Sequence, residues 1–181
     1  MNILTLLIFI PVLFGVLILL LPSSWRGSFK YITLLATLIQ LGLSIWLYLN
    51  FKTGANFGGI NHEEQFQFVQ KIPWISLDLG TLGKMQIEYF IGIDGISIPM
   101  LIMSALVMVI ATLASWEIKS NLKGFFALFL LLDMAVMGVF CSLDFFLFYL
   151  FYELMLLPLY FLIGMWGGAR REYAAIKFFL Y

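Results

Sequence analysis

A polytopic bundle of membrane-spanning α-helices is the fold class this sequence predicts, and three observations predict it. Of 181 residues, 63% are hydrophobic and only 11% charged, too few polar side chains to cover a water-soluble fold. The apolar residues fall into five runs, each near the ~20 residues that cross a hydrocarbon core of about 30 Å. None of the runs alternates apolar with polar, so they read as helices, which satisfy their own backbone groups in lipid, and not as strands of a barrel.

The first run, Asn2–Leu21, has no basic residue before it, is longer than a signal-peptide core, and is followed by no small-x-small cleavage pattern before Trp25. It is expected to be a retained helix. Tyr31–Leu49, Ile96–Trp116, Gly124–Leu143 and Phe145–Met165 are the next four spans, with aromatic rings near their ends (Trp25, Trp46, Tyr48, Trp116, Trp166) where a headgroup layer accepts a polar edge. A sixth run starts at Tyr173 and reaches Tyr181 after about two turns, so the sequence is expected to be cut off within a helix. The organisation expected is helices one and two over 1–50, an outer loop over 51–95, helices three to five over 96–165, and a turn with the start of helix six over 166–181.

In the outer loop, Ile75–Leu79 and Met85–Tyr89 alternate apolar and polar residues about Gly80-Thr-Leu-Gly-Lys84, which predicts a short β-hairpin. The stretch Thr53–Gln65, with three glycines and two asparagines, is expected to be mobile.

Lys and Arg give the orientation. Arg26, Lys30, Lys119, Lys123, Arg170, Arg171 and Lys177 fall on one side; Lys52, Lys71 and Lys84, diluted by acidic residues, fall on the other. The first side is expected to be cytoplasmic, which places the N-terminus and the hairpin outside, in the periplasm of a bacterium. Ten basic and ten acidic residues give no net charge and hence no basic field for nucleic acid. One cysteine, Cys141, and one histidine, His62, set in a polar loop, supply neither a disulfide nor a metal or iron–sulfur cluster.

Two carboxylates lie within the spans, Asp133 and Glu153, and each costs several kcal/mol to hold charged in lipid without a partner. Helical rise places both near mid-membrane. Asp133 has a plain structural reading, a neutral acid hydrogen-bonded to a neighbouring helix. Glu153 precedes Pro158 by five residues, and the missing N–H of Pro158 leaves the Leu154 carbonyl without its intrahelical donor. Carboxyl, freed carbonyl and bend together form a point where water can gather, and a lysine brought close would switch such an acid between holding and releasing a proton. Lys177 is about one turn into the sixth helix, where it serves equally as an interfacial anchor. Asp94 and Asp144, at the outer starts of helices three and five, read as structural caps.

The run from Ser142 to Gly168, SLDFFLFYLFYELMLLPLYFLIGMWGG, its continuation ARREYAAIKFFLY to Tyr181, and the segment YFIGIDGIS from Tyr89 to Ser97 resemble the chain M family of NADH-quinone oxidoreductase, equivalent to mitochondrial chain 4. The resemblance is strong from Tyr89 onward; residues 1–85 match in hydropathy pattern. It implies the N-terminal part of an antiporter-like, inverted-repeat fold in a proton-translocating membrane subunit of complex I. It implies that Glu153 is the fifth-helix glutamate of proton transfer and Lys177 the lysine of the family's KFF-Y motif, and it leaves Asp133 a possible relay. It further implies no cofactor on this chain, with NADH, FMN, iron–sulfur clusters and quinone on partner subunits, and neighbouring antiporter-like subunits and lipids as partners. A sodium–proton antiporter or membrane-bound hydrogenase subunit, and a scaffold that moves no protons, are the alternatives.

Overall fold

The computed structural model describes residues 2–22, 25–52, 66–78 and 84–180. Its helices are α1 (Ile3–Leu20), α2 (Arg26–Asn50), α3 (Ser97–Ala114, continued by a 3-10 turn, Ser115–Glu117), α4 (Leu122–Cys141), α5 (Phe145–Trp166) and α6 (Arg171–Leu180). Five of these are long and apolar enough to cross a membrane, and a two-stranded antiparallel sheet, β1 (Gln67–Asp78) with β2 (Lys84–Ile93), joins α2 to α3.

α4 is the centre of the bundle, packing against α1, α2, α3, α5 and the sheet. Ten of its residues between Phe125 and Cys141 are buried, against only Leu147, Phe151 and Pro158 in α5, so α5 stands at the edge with most of its surface uncovered. Two apolar clusters fill the interior: Leu4, Leu7, Leu101, Met137 and Phe151 near the sheet, and Ile18, Phe29, Phe126 and Leu130 at the opposite end. The apolar side chains left exposed, such as Leu13, Leu20, Leu35, Met103 and Phe161, are the surface that lipid or protein would cover in a membrane.

At one end of the bundle, two lysines close helix C-termini. Lys123 Nζ donates to the Leu21 carbonyl at the end of α1 at 2.9 Å, and Lys30 Nζ donates to the Trp116 carbonyl at the end of α3. A cation is favourable there because the last carbonyls of a helix lack intrahelical donors and carry the negative end of its dipole. At the other end, Asp144 accepts from the Leu147 N–H at 2.9 Å, and Asp94 Oδ1 accepts from the N–H groups of Ile96 and Ser97 at 3.0 and 2.7 Å.

The hairpin is larger than the alternation predicts, 12 and 10 residues where two strands of five are expected. The extra length is held by tertiary contacts. Asn2 Nδ2 donates to the Phe68 carbonyl, Thr5 Oγ1 donates to Gln70 Oε1 at 2.6 Å, and Gln67 exchanges two hydrogen bonds with the Lys52 backbone. Pro73, which cannot donate to a ladder, sits beside a register shift between Pro73 and Ile75. The turn at 79–83, the segment Thr53–Gln65 and His62 lie outside the described residues.

Helix limits also shift. α2 begins at Arg26 and not Tyr31, because the Lys30 stem reaches along the helix to Trp116 and makes a charged residue compatible with the first turns. α4 ends at Cys141, two residues short of the expected Leu143, because the Leu143 N–H is taken by the Phe90 carbonyl of β2 at 2.9 Å. α6 starts at Arg171, two residues before Tyr173.

Candidate functional site

Asp133 and Glu153 share a depth. Each is eight residues from the sheet-side end of its helix, 133 to Cys141 and Phe145 to 153, which is about 12 Å of helix. They do not share a pocket. Asp133 is fully buried, whereas Glu153 is exposed. The α4–α5 interface is marked by Gly138, whose missing side chain leaves room for the Phe151 ring. At 100° per residue, Asp133 lies about 140° round α4 from Gly138, and Glu153 about 160° round α5 from Phe151. The two carboxyls therefore point away from the interface on opposite sides.

Around Asp133 the setting is interior and polar. α2 turns toward the bundle a row of buried polar residues, Thr33, Thr37, Gln40 and Ser44, at spacings of four, three and four. The hydroxyls bond back to carbonyls of their own helix: Thr33 to Phe29 at 2.9 Å, Thr37 to Thr33 at 3.2 Å, Ser44 to Gln40 at 2.9 Å. Gln40 alone reaches across. One terminal atom of its amide stands 2.7 Å from Asp133 Oδ2 and 2.9 Å from Oδ1, and the other stands 3.4 Å from the Leu7 carbonyl oxygen of α1. That carbonyl belongs to the residue four before Pro11, so the proline leaves it without an intrahelical N–H.

Glu153 has a different surround. The Tyr149 hydroxyl, one turn earlier on the same helix, lies near enough to interact with its carboxyl, and Tyr149 and Tyr152 are exposed beside it. α5 runs without interruption through Pro158, which is buried. Lys177 is not brought to Glu153. A Cβ built at Gly164 would stand 3.5 Å from the Ala175 Cβ, a register that puts Lys177 level with residue 162, about 14 Å along α5 from residue 153. The Lys177 ammonium lies 5.9 Å from the centroid of the Tyr173 ring, on an exposed face of α6.

Sequence reasoning missed Gln40 and Pro11. Both had signals: a row of polar residues at helical spacing in an apolar span, and a proline whose freed carbonyl follows from the same logic applied to Pro158.

Arranged this way, the chain holds two carboxyls at one depth, one buried against an amide whose other end faces a freed carbonyl, the other presented outward beside a phenol. Such groups can bind and release protons.

Two family models match adjoining parts of the chain: NADH-ubiquinone oxidoreductase chain 4, amino terminus, over 66–142, and NADH:quinone oxidoreductase/Mrp antiporter, TM, over 142–181. F(420)H(2) dehydrogenase subunit M of Methanosarcina mazei is 36% identical over 98% of this chain and 32% of its own length. NADH-quinone oxidoreductase subunit M of Rickettsia prowazekii is 32% identical over 100% of this chain and 35% of its own. A chain of respiratory complex I from Thermus thermophilus superposes with a TM-score of 0.71 at 25% identity, covering 99% of this chain and 32% of that one. A chain of an archaeal membrane-bound sulfane sulfur reductase has the same fold, with a TM-score of 0.72 at 18% identity. The chain thus spans about a third of the length of the relatives it matches, and the likeness extends through residues 1–85, where hydropathy alone had carried it. By these matches, the chain belongs to the family of multi-pass membrane subunits that includes NADH:quinone oxidoreductase chain 4, or subunit M.

Proposed function

We propose that this chain is the N-terminal part of a proton-translocating membrane subunit of a respiratory NADH:quinone oxidoreductase. The observation that carries the reading is Glu153, an ionisable group at mid-helix turned away from its own bundle toward whatever covers α5. A carboxyl so placed needs water or a polar partner, and intramembrane acids of that kind belong to ion pathways. In this reading Glu153 accepts and releases a proton, with the Tyr149 hydroxyl beside it able to donate to its carboxyl. Asp133 is a second protonatable group at the same depth. Lys177, too far along α5 to pair with Glu153 in this arrangement, acts nearer the helix end.

NADH, FMN, iron–sulfur clusters and quinone then belong to partner subunits, and oxidation there drives the proton movement here. Neighbouring antiporter-like subunits and lipids cover the exposed faces of α5 and α1. The charge distribution supports a bacterial inner membrane with the N-terminus and the hairpin in the periplasm. The division into 1–50, 51–95, 96–165 and 166–181 follows the same alternation of sides.

The test is Glu153→Gln in the full-length gene, with NADH oxidation and proton uptake recorded together in inside-out vesicles. The expected result is assembled complex with proton uptake well below wild type. Unchanged proton uptake overturns the reading and favours a scaffold. A second reading, the same pump element driven by another reduced cofactor, draws on the likeness to F(420)H(2) dehydrogenase subunit M. Vesicles that pump with F420H2 and not with NADH decide for it.

A further inference from the structure

We propose that Asp133, Gln40 and the Leu7 carbonyl form a proton-dependent bridge in which the Gln40 amide reverses when Asp133 gains or loses a proton. The site adds a positioning residue, Gln40, and an acceptor on α1 to the proton-transport reading. It rests on that reading for its purpose and not for its physics.

An amide has one donating and one accepting end, and the hydrogen-bond network decides which is which. With Asp133 neutral, its O–H donates to Gln40 Oε1 across the 2.7 Å contact, and Gln40 Nε2 donates to the Leu7 carbonyl at 3.4 Å. All three groups are then satisfied. With Asp133 ionised, the oxygen end of the amide would face a carboxylate, acceptor against acceptor. Turning the amide by half a revolution lets Nε2 donate to both carboxylate oxygens, at 2.7 and 2.9 Å. The Leu7 carbonyl then loses its donor, because Pro11 has no N–H to replace it. In the forward step the Asp133 O–H bond breaks, its electron pair stays on the carboxylate, and the proton passes to a water molecule. The return step reverses this.

The proton is thereby linked to α1. The neutral state ties α4 through α2 to the second turn of α1; the ionised state releases α1.

Ionisable neighbours are few. α1 and α3 carry none between Ile3 and Leu20 or between Ser97 and Ala114, and Glu117 follows α3 at its far end. α2 carries Arg26, Lys30, Tyr31 and Tyr48, all in its end turns. On α4 itself, Lys123 and Cys141 lie ten and eight residues away, about 15 and 12 Å. α5 contributes Tyr149, Tyr152, Glu153 and Tyr160, of which Tyr149 and Glu153 are neighbours on the outward face. β2 contributes Glu88, paired with Lys71 at 3.1 Å, and Tyr89, whose hydroxyl meets Thr5. Among the described residues, none of these is a charged partner hydrogen-bonded to Asp133.

The experiment is infrared difference spectroscopy of the full-length subunit in its complex, titrated with pH, using glutamine labelled with nitrogen-15 in the side-chain amide. Wild type is expected to show a carboxylic-acid carbonyl band, absent from Asp133→Asn, that disappears as pH rises while a labelled amide band shifts with the same midpoint. Pro11→Ala restores the intrahelical donor to Leu7 and so removes the unpaired carbonyl from the ionised state. It favours the helix and is expected to fold, and it should lose the acid band at a pH lower by roughly one unit. Gln40→Leu should abolish the amide signal. An unshifted midpoint in Pro11→Ala, or an amide band that does not follow the acid band, overturns the bridge. These signals do not depend on transport. A switch present with proton uptake unaffected by Glu153→Gln would sink the transport reading alone, and a missing switch with uptake lost in that variant would sink the bridge alone.

Discussion

The Phe151 ring of α5 occupies the space that any side chain at Gly138 of α4 would need: a Cβ built there would stand 2.6 Å from the ring atom Cε1 and closer still to two others. This contact sets how closely the fifth helix approaches the fourth and which way both face. It is the reason Asp133 and Glu153 end on opposite sides of the pair. Gly138→Ala is expected to force the helices apart or the ring off its rotamer, at about 1–3 kcal/mol for an overpacked interior. Thermal unfolding of the purified subunit should show the loss, and Gly138→Ala combined with Phe151→Leu should recover part of it. Equal stability of Gly138→Ala and wild type would mean the interface is looser than the structure places it.

Helix-end lysines yield a second expectation. Lys123→Met removes the donor from the Leu21 carbonyl at the part-buried end of α1, whereas Lys119→Met alters an exposed side chain. Hydrogen bonds to charged groups contribute about 1.5–3 kcal/mol, and exposed surface changes about 0.5 or less. Lys123→Met should therefore lower the unfolding temperature clearly and Lys119→Met hardly at all. The reverse order would refute the capping role.

The five spans were legible because hydrophobic length is imposed by the bilayer and is written locally. Their ends were less so, since each end is settled by a partner far away in sequence. Lys30 lets α2 start at Arg26 by reaching Trp116, and Phe90 stops α4 by taking the Leu143 N–H. The first half of β1 was hidden for the same reason: Phe68 and Gln70 are held by Asn2 and Thr5, and the strand contains a proline. Of the site, Glu153 and Asp133 were visible as lone acids in apolar runs. Their separation was not, because it follows from Gly138 facing Phe151, and a glycine in a helix does not announce what it faces. Gln40 was passed over because an uncharged amide raises no alarm until its neighbour on another helix is known.

Asp94 predicts an acid dependence. Burial pushes its carboxyl up, but the N–H groups of Ser97 and Ile96, with the Ser97 side chain, outweigh this and hold it below its ordinary value of 3.8. A carboxyl whose folded value is depressed contributes stability above its unfolded value, and that contribution is lost as pH falls through the folded one. The stability difference between wild type and Asp94→Asn should be constant from pH 7 to about 5 and shrink below about pH 4. Melting curves of both proteins across that range test it. A difference that persists unchanged to the lowest pH would mean the charge on Asp94 has no part in the cap.

Tyr149 separates a working carboxyl from a merely tolerated one. Its hydroxyl is one turn from Glu153 and within reach of its carboxyl, while Tyr152, also exposed, stacks on Phe148 with ring centroids 6.3 Å apart. If Glu153 passes protons and Tyr149 donates to its carboxyl, that interaction matters to the rate, and a net value of about 1 kcal/mol corresponds to roughly fivefold. Tyr149→Phe should then lower proton uptake in vesicles by about that factor, less than Glu153→Gln does. Tyr152→Phe removes a hydroxyl from the same exposed face without touching the carboxyl and should leave uptake near wild type. Equal losses in the two tyrosine variants would point to a general effect on how α5 is covered. A silent Tyr149→Phe would show that Glu153 is oriented by something other than its own helix, and the groups that cover this face would be the next to substitute.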